Sequence, residues 1–349
     1  MRDNALGAFP MTYFGLSRSY PIAAFVAALL LASAPLAAQP AFEKTATKAW
    51  TQPRTPDGQP DLQGTWSNST LTQLQRPRQF ADKQYLTEQE TVALEAQLAK
   101  QGNWDRPDAQ KNAANELGYN YLFWDAGTKL ARIDGRGLTS LIIDPPNGRM
   151  PPLTPEAQKR EAARREERSK HGPFDSPRDL NLAERCITRG NPKLPGGYNN
   201  NVQIIQTRDS VMIMAEMLHE VRVIHLDGRP HLSQNVRLWQ GDAIGHWEGD
   251  TLIVDVTNYR DEVRFASFNC CGPAGENMHI TERFRRVDAR TIDYRYTLDD
   301  PSTFTRPWTA AVPMTRIDEP LFEYACHEGN YAMEDILKGA RAEEAAKKK

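Results

Sequence analysis

Ionisable side chains in the C-terminal half of this chain fall within segments in which polar and apolar residues alternate. In MHITERFRRV, alternation puts His279 and Arg283 on one face and Glu282 with Phe284 on the other. Side chains of His, Glu, Arg and Tyr inside a closed sheet can transfer protons to and from a bound molecule without a cofactor. We therefore predict acid–base catalysis by five residues: His219, Glu216, Arg283, Tyr324 and His327.

Three of the predicted catalytic residues have a role that follows from their chemistry. His327 would serve as general base, because histidine is the side chain whose ordinary pKa lies near neutral pH. Arg283 would hold an anionic group of the substrate, and Glu216 would orient a proton donor. In the predicted strand LFEYACHE, Tyr324 and His327 point to opposite faces, so a bulge at 325–326 is needed to bring both to one cavity. The alternative is that each of the five is a rim residue or a buried group with a structural partner.

A second set of polar and aromatic residues is predicted to bind the substrate. Three successive amides, 199–201, precede a predicted strand, and they either satisfy backbone groups of the loop or line the mouth of a pocket. The predicted substrate-binding residues are Arg185, Tyr198, Asn199, Asn200, His279 and Trp308.

The histidines lack the spacing typical of a metal site. His219, His225 and His231 follow one another at six-residue intervals on segments broken by turns, and the chain contains neither H-E-x-x-H nor C-x-x-C. The nucleotide-binding glycine motifs and the G-x-S-x-G of serine hydrolases are also missing from the sequence. We therefore predict chemistry with neither a metal nor a cofactor.

The charge balance argues against a nucleic-acid partner. The 349 residues include 43 Lys and Arg against 45 Asp and Glu, a net charge of −2, without a basic stripe. Apolar residues make up 40% of the chain, and seven Trp and eleven Tyr are among its aromatic residues, which is enough for a packed core. A small molecule is the expected partner, and the oligomeric state stays open.

Residues 1–38 have the layout of a secretory signal peptide. A basic flank at Arg18 precedes an apolar run from Pro21 to Leu36, and small residues follow before Gln39. The run is short for a membrane span. We predict cleavage near Gln39, no stable membrane span afterwards, and a periplasmic or secreted mature protein.

Four cysteines would then enter an oxidising compartment, where disulfides persist. They allow three pairings, of which we favour Cys186–Cys326. Cys270 and Cys271 would then form an adjacent pair or remain free thiols. Four buried free thiols are the alternative.

Beyond the leader, the sequence divides into an N-terminal part, 39–197, and an antiparallel β domain, 198–349. The N-terminal part begins with a Pro-rich lead-in that lies along a surface, and carries two helices capped at Thr87 and Thr154 that pack on the core. The β domain has period-two segments and ends in a helix over 331–346. Its nine candidate strands are VQIIQT, SVMIMAEML, EVRVIHL, NVRLWQ, TLIVDVTNY, MHITERFRRV, TIDYRYTL, PWTAAVPMT and LFEYACH.

Short strands without helices between them predict a mainly β fold. We expect an antiparallel meander closed into a barrel, with a sandwich as the alternative. Gly64-Thr65-Trp66 is similar to the Gly-x-Trp that opens the first strand of lipocalins, and this resemblance favours a lipocalin-like barrel with a ligand cavity. In lipocalins the other strands follow at once, whereas here a long stretch of helix and loop intervenes.

Eight blocks spread along the chain resemble a family of exported proteins of soil and aquatic bacteria that has no well-established activity. Some members occur in bacteria that degrade lignin-derived aromatics, so the resemblance implies export and an aromatic substrate. The blocks are PDGQPDLQGTW, SLIIDPPNGRMPPLTPEA, ERCITRGNP, YNNNVQI, WEGDTLIVDVTNY, ENMHITERFRRVD, RPWTAAVPM and YACHEGNY.

Two classes of function fit these observations. The first is a cofactor-independent lyase, isomerase or hydrolase that acts on a small aromatic molecule in a barrel cavity. The second is a non-catalytic lipocalin-like carrier or sensor of a hydrophobic small molecule. Two ionisable groups with displaced pKa values in one cavity would favour the enzyme.

Overall fold

A computed structural model describes residues 50–101, 125–172, 174–263, 265–267, 270–272 and 275–347. The predicted signal peptide and its cleavage point lie outside these residues, as do the side chains of Cys270 and Cys271.

The described residues form sixteen strands and three α-helices. The strands are β1 Gly64–Ser67, β2 Tyr85–Leu86, β3 Arg132–Ile133, β4 Arg136–Leu138, β5 Ile142–Asp144, β6 Asn201–Gln206, β7 Ser210–Ala215, β8 Val221–His225, β9 Asp242–Glu248, β10 Thr251–Thr257, β11 Phe265–Ser267, β12 Cys270–Gly272, β13 His279–Arg286, β14 Thr291–Asp299, β15 Trp308–Ala311 and β16 Met314–Ile317. The helices are α1 Glu88–Gln101, α2 Pro155–Ser169 and α3 Tyr331–Lys347, and short 3-10 helices occur at Arg78–Phe80, Pro177–Asp179 and Met217–His219.

Nine strands close into a barrel. Around the barrel the order is β1, β6, β7, β8, β9, β10, β13, β14 and β16, and β16 pairs again with β1. The neighbours are antiparallel except β8 and β9, which meet in parallel at His225 and Ile244. The prediction of a mainly β fold with a barrel and a C-terminal helix is confirmed, and the sandwich alternative is wrong.

Strand β1, which begins at Gly64 in the N-terminal part of the chain, completes the barrel. β1 pairs with β6 on one side and with β16 on the other. Trp66 on this strand is fully buried, and its indole N–H donates to the Leu62 carbonyl oxygen at 2.9 Å. Residues 50–63 run along the surface, where the Arg54 guanidinium pairs with Asp250 at 2.7 Å.

Alternation along the strands fills the barrel with aromatic side chains. Phe284 and Tyr294 stack with ring centroids 4.5 Å apart, and Tyr296 meets Trp308 edge to face at 5.7 Å. These four side chains are at most 2% exposed. Burial of apolar area of this kind is the main favourable term in the stability of such a fold.

Two strand predictions are wrong, and one strand was missed. NVRLWQ is irregular and forms only an isolated bridge from Leu238 to Tyr259, and LFEYACH is not a strand. The segment DAIGHWE was missed although it forms β9. Gly245 interrupts its pattern because a Cβ there would lie 2.8 Å from Ile224 and 3.0 Å from the Ile253 carbonyl oxygen.

Both predicted helix caps are confirmed. The Thr87 backbone N–H donates to Glu90 at 2.8 Å, and the Glu90 N–H donates to the Thr87 hydroxyl at 3.3 Å, which is the reciprocal capping box. The Thr154 hydroxyl accepts from the Ala157 N–H at 3.1 Å, with Pro155 at the first helical position.

Candidate functional site

Segment 185–202 contributes residues to the walls of three cavities. It carries one half of a disulfide, because Cys186 is bonded to Cys326 with their Cα atoms 5.7 Å apart. The predicted pairing is confirmed, and it ties this segment to the chain that leads into α3. Residues of the segment line three cavities, which we call the mouth cavity, the inner cavity and the arginine cleft.

The mouth cavity opens to the surface and has an empty volume of about 500 Å³, open solvent included. Its wall includes Arg189, Lys193, Tyr198, the amides 199–201 and Met217. The two roles considered for the amides are both present. The Asn200 side-chain amide donates to the Asp125 carbonyl oxygen at 2.7 Å, and all three residues are among those that line the cavity.

The inner cavity lies inside the barrel, next to the mouth cavity. Lys193, Val202 and Ala215 line both. The other lining residues include both apolar side chains and side chains that can form hydrogen bonds. Its lining residues are Asn191, Lys193, Val202, Ile213, Ala215, Glu220, Arg222, Gln240, Phe284, Tyr294 and Met314.

Lys193 and Glu220 form an ion pair at the boundary of the two cavities. The Lys193 side chain is 18% exposed and that of Glu220 is 6% exposed. Burial lowers the pKa of the Lys193 ammonium, and the opposing charge and hydrogen bond of Glu220 only partly offset that effect. A buried lysine with a lowered pKa has a larger neutral fraction near neutral pH, and a neutral amine is a base.

Four donors hold the Glu220 carboxylate in place. The Lys193 ammonium and the Thr188 hydroxyl both donate to it. The Arg189 backbone N–H and the Gln240 side-chain amide donate at 3.2 Å each. Because donors from several parts of the chain converge on this carboxylate, Lys193 is held at a fixed place on the cavity wall.

A second ion pair lies deeper in the barrel. Both Glu282 oxygens accept from the Arg222 guanidinium, one at 3.1 Å, and the Tyr294 hydroxyl donates to Glu282 at 2.6 Å. The Glu282 side chain is 0% exposed and that of Arg222 is 7% exposed. Burial raises the pKa of Tyr294 and of Tyr259, so both phenols are neutral at physiological pH, and the Tyr259 hydroxyl accepts from the Asn191 amide at 3.5 Å.

Three of the five predicted catalytic residues come together outside the cavities. Glu216 is 3% exposed and accepts from the Asn199 amide at 2.7 Å, the Asn201 amide at 3.0 Å and the Phe322 N–H at 3.2 Å. A ring nitrogen of His219 lies 2.9 Å from the Tyr324 carbonyl oxygen. These contacts hold the segment before Cys326 against the barrel.

The remaining predicted site residues lie apart. Arg283 points out of the barrel, His327 is exposed on an irregular segment, and Trp308 packs in the aromatic core. Arg185 lines the arginine cleft. None of the five predicted catalytic residues lines any of the three cavities.

Sequence reasoning missed Lys193, Glu220, Arg222 and Glu282. Glu282 lies between Ile280 and Phe284 on the more apolar face of its strand. Those apolar neighbours were the sequence pattern from which its position inside the barrel could have been predicted. Lys193 belongs to an irregular segment without periodicity, so nothing in the sequence pattern links it to Glu220.

His279 pairs with a carboxylate on the outer face of the barrel, 2.7 Å from Asp255, which itself lies 3.5 Å from His231. The hydrogen bond to Asp255 raises the pKa of His279. Such a pair stabilises the fold below the ordinary histidine pKa of about 6.5, and this contribution is lost as the pH rises through the raised value. We expect Asp255→Asn to bring the His279 pKa back toward its ordinary value.

An NMR titration of the imidazole ring protons measures this pKa. Asp250→Asn, a change at an exposed carboxylate that pairs with Arg54, is the control. An unchanged His279 pKa in Asp255→Asn would contradict the assignment.

Within the described ranges, no three or more His, Cys, Asp or Glu side chains form a group able to hold a metal ion. None of the described helices is long and apolar enough to cross a membrane. Comparisons of the chain with protein-family models, curated proteins and solved structures find no match.

Proposed function

We propose that this protein is an exported, cofactor-independent enzyme that performs acid–base chemistry on a small aromatic molecule in its barrel. The observation that carries the proposal is the placement of Lys193. Its amine lies where the mouth cavity meets the inner cavity, paired with a carboxylate and removed from most solvent. We propose Lys193 as the catalytic base in place of His327 and His219, which the sequence predicted.

The surroundings of Lys193 suit proton transfer to and from a bound ring compound. Phe284, Tyr294 and Met314 offer an apolar wall for an aromatic ring, and the Asn191 and Gln240 amides offer hydrogen bonds to its oxygen atoms. In its deprotonated form the Lys193 amine takes a proton from the substrate, and Glu220 stabilises the ammonium that forms. Return of the proton to another atom gives an isomerase, and its transfer to a leaving group gives a lyase.

Export has independent support. The Cys186–Cys326 disulfide is typical of oxidising compartments. The order of charged, apolar and small residues over 1–38 is typical of a signal peptide. Both features support a periplasmic or secreted location.

The second candidate is a carrier or sensor of a hydrophobic small molecule. It is favoured by the apolar side chains Val202, Ile213, Phe284 and Met314 in the inner cavity, and by the pairing of Lys193 and Arg222 with carboxylates. A carrier binds its ligand and releases it unchanged.

Incubation of the mature protein with small aromatic alcohols, phenols and acids, in the presence of a chelator, separates the two candidates. The enzyme proposal expects mass spectrometry to show conversion of at least one compound without added cofactor. Binding detected by calorimetry, with every compound recovered unchanged, would overturn the enzyme proposal and support the carrier.

A further inference from the structure

The arginine cleft lies beside the barrel and is lined by α2, by part of the segment 178–189 and by residues 261–263. The cleft is open to the surface, and its empty volume is about 1760 Å³ with open solvent included. We propose that this cleft binds a small anionic molecule that carries two or more carboxylate, phosphate or sulfate groups. The inference is independent of the chemistry proposed for Lys193.

The cations of the cleft are all arginines, on two separate walls. Six arginines line it, with neither lysine nor histidine among the lining residues. Three of them, at positions 164, 165 and 168, follow the spacing of one helix face on α2. The other three are Arg178, Arg185 and Arg189. Planar guanidiniums bind oxyanions through two parallel hydrogen bonds, which lysine cannot do.

Half of these guanidiniums have no protein partner in the part of the chain that the structure describes. Arg165, Arg178 and Arg185 make neither an ion pair nor a side-chain hydrogen bond to described residues. Arg164 pairs with Glu161 at 2.9 Å, and Arg168 contacts the Asp179 carbonyl oxygen at 3.4 Å. Arg165 belongs to α2 and the other two to the segment 178–189, so one ligand with two anionic groups can engage both parts of the lining.

The carboxylates of the cleft neutralise only part of its positive charge. Four line it, and three of them already accept hydrogen bonds, one from a cleft arginine and two from residues that do not line the cleft. Glu161 accepts from Arg164, Asp179 accepts from the Ser176 N–H at 2.7 Å, and Glu262 accepts from Arg260 at 2.8 Å. With six cations and four anions, the cleft has an excess of positive charge on a chain whose net charge is −2. Such a local reversal of charge concentrates anions.

Isothermal titration calorimetry of the mature protein with citrate and with tripolyphosphate tests the inference at physiological salt. We expect one molecule of at least one probe to bind per chain. Arg178→Gln/Arg185→Gln should weaken binding at least about tenfold, the scale for loss of charge-assisted hydrogen bonds. The matched control, Arg208→Gln/Arg285→Gln, removes two exposed arginines elsewhere and should leave the affinity unchanged.

The two probes distinguish the sources of the anionic groups, since binding of citrate alone indicates carboxylates and binding of tripolyphosphate alone indicates phosphates. Circular dichroism establishes that both double variants are folded. Lys193→Arg should bind the probe like wild type, because the cleft does not use that residue. Binding of neither probe, or equal weakening in both double variants, would overturn the inference.

Discussion

Replacing Glu282 with glutamine is expected to destabilise the fold by about 3–5 kcal/mol, the usual effect of removing one partner of a buried ion pair. The carboxylate is 0% exposed, and it accepts from the Arg222 guanidinium and from the Tyr294 hydroxyl. Glutamine keeps the size of the side chain and removes its charge. The Arg222 cation is then left in the barrel without a counter-ion.

Urea denaturation followed by circular dichroism measures this loss. Glu248→Gln, at an exposed position at the end of β9, is the matched control and should change stability by less than about 0.5 kcal/mol. In the double variant Arg222→Met/Glu282→Leu both charges are gone, and most of the lost stability should return. A loss below about 1 kcal/mol in Glu282→Gln would show that the pair is not buried as described.

Removing the Cys186–Cys326 disulfide should lower the free energy of unfolding by about 4–5 kcal/mol in the chain-entropy model. The bond spans 140 residues, and closing so long a loop removes many conformations from the unfolded chain. The double variant Cys186→Ser/Cys326→Ser removes the disulfide. The chain around residue 186 and the chain before α3 would then keep hydrogen bonds such as that from the Asn330 amide to the Glu184 carbonyl oxygen at 3.0 Å.

Denaturation with and without a reductant tests the disulfide prediction. Wild type should lose stability on reduction, whereas the double serine variant should respond little, since its bond is already missing. Equal stability of oxidised wild type and the double variant would contradict it.

The barrel was predictable because a period of two survives along most of its strands. Residues 291–299 alternate strictly between half-buried and buried positions, as the sequence indicates. The pattern failed where a local contact overrode it, at Gly245 in β9. It also failed at 321–327, where apolar residues such as the 70% exposed Phe322 suggested a strand that has no partner.

The site was harder to predict than the fold. Alternation divides a strand into two faces but does not say which face lies inside the barrel. The prediction chose Arg283 as a site residue and not Glu282, and Arg283 lies on the outer face. Lys193 meets Glu220 through a loop whose path depends on contacts distant in sequence, such as the Cys186–Cys326 bond. We infer the basic group from the three-dimensional arrangement, whereas the residue types alone suggested the acid–base chemistry that we propose.

The central claim is that Lys193 is the base of a cofactor-independent enzyme, and the most direct test is the turnover rate of Lys193→Arg on a compound that wild type converts. Arginine keeps the charge and can pair with Glu220, but it stays protonated and cannot accept a proton. We expect the variant to remain folded, to bind the compound, and to turn it over at least about 100-fold more slowly. The control Lys159→Arg, at an exposed position on α2, should match wild type. A wild-type rate in Lys193→Arg would contradict the account.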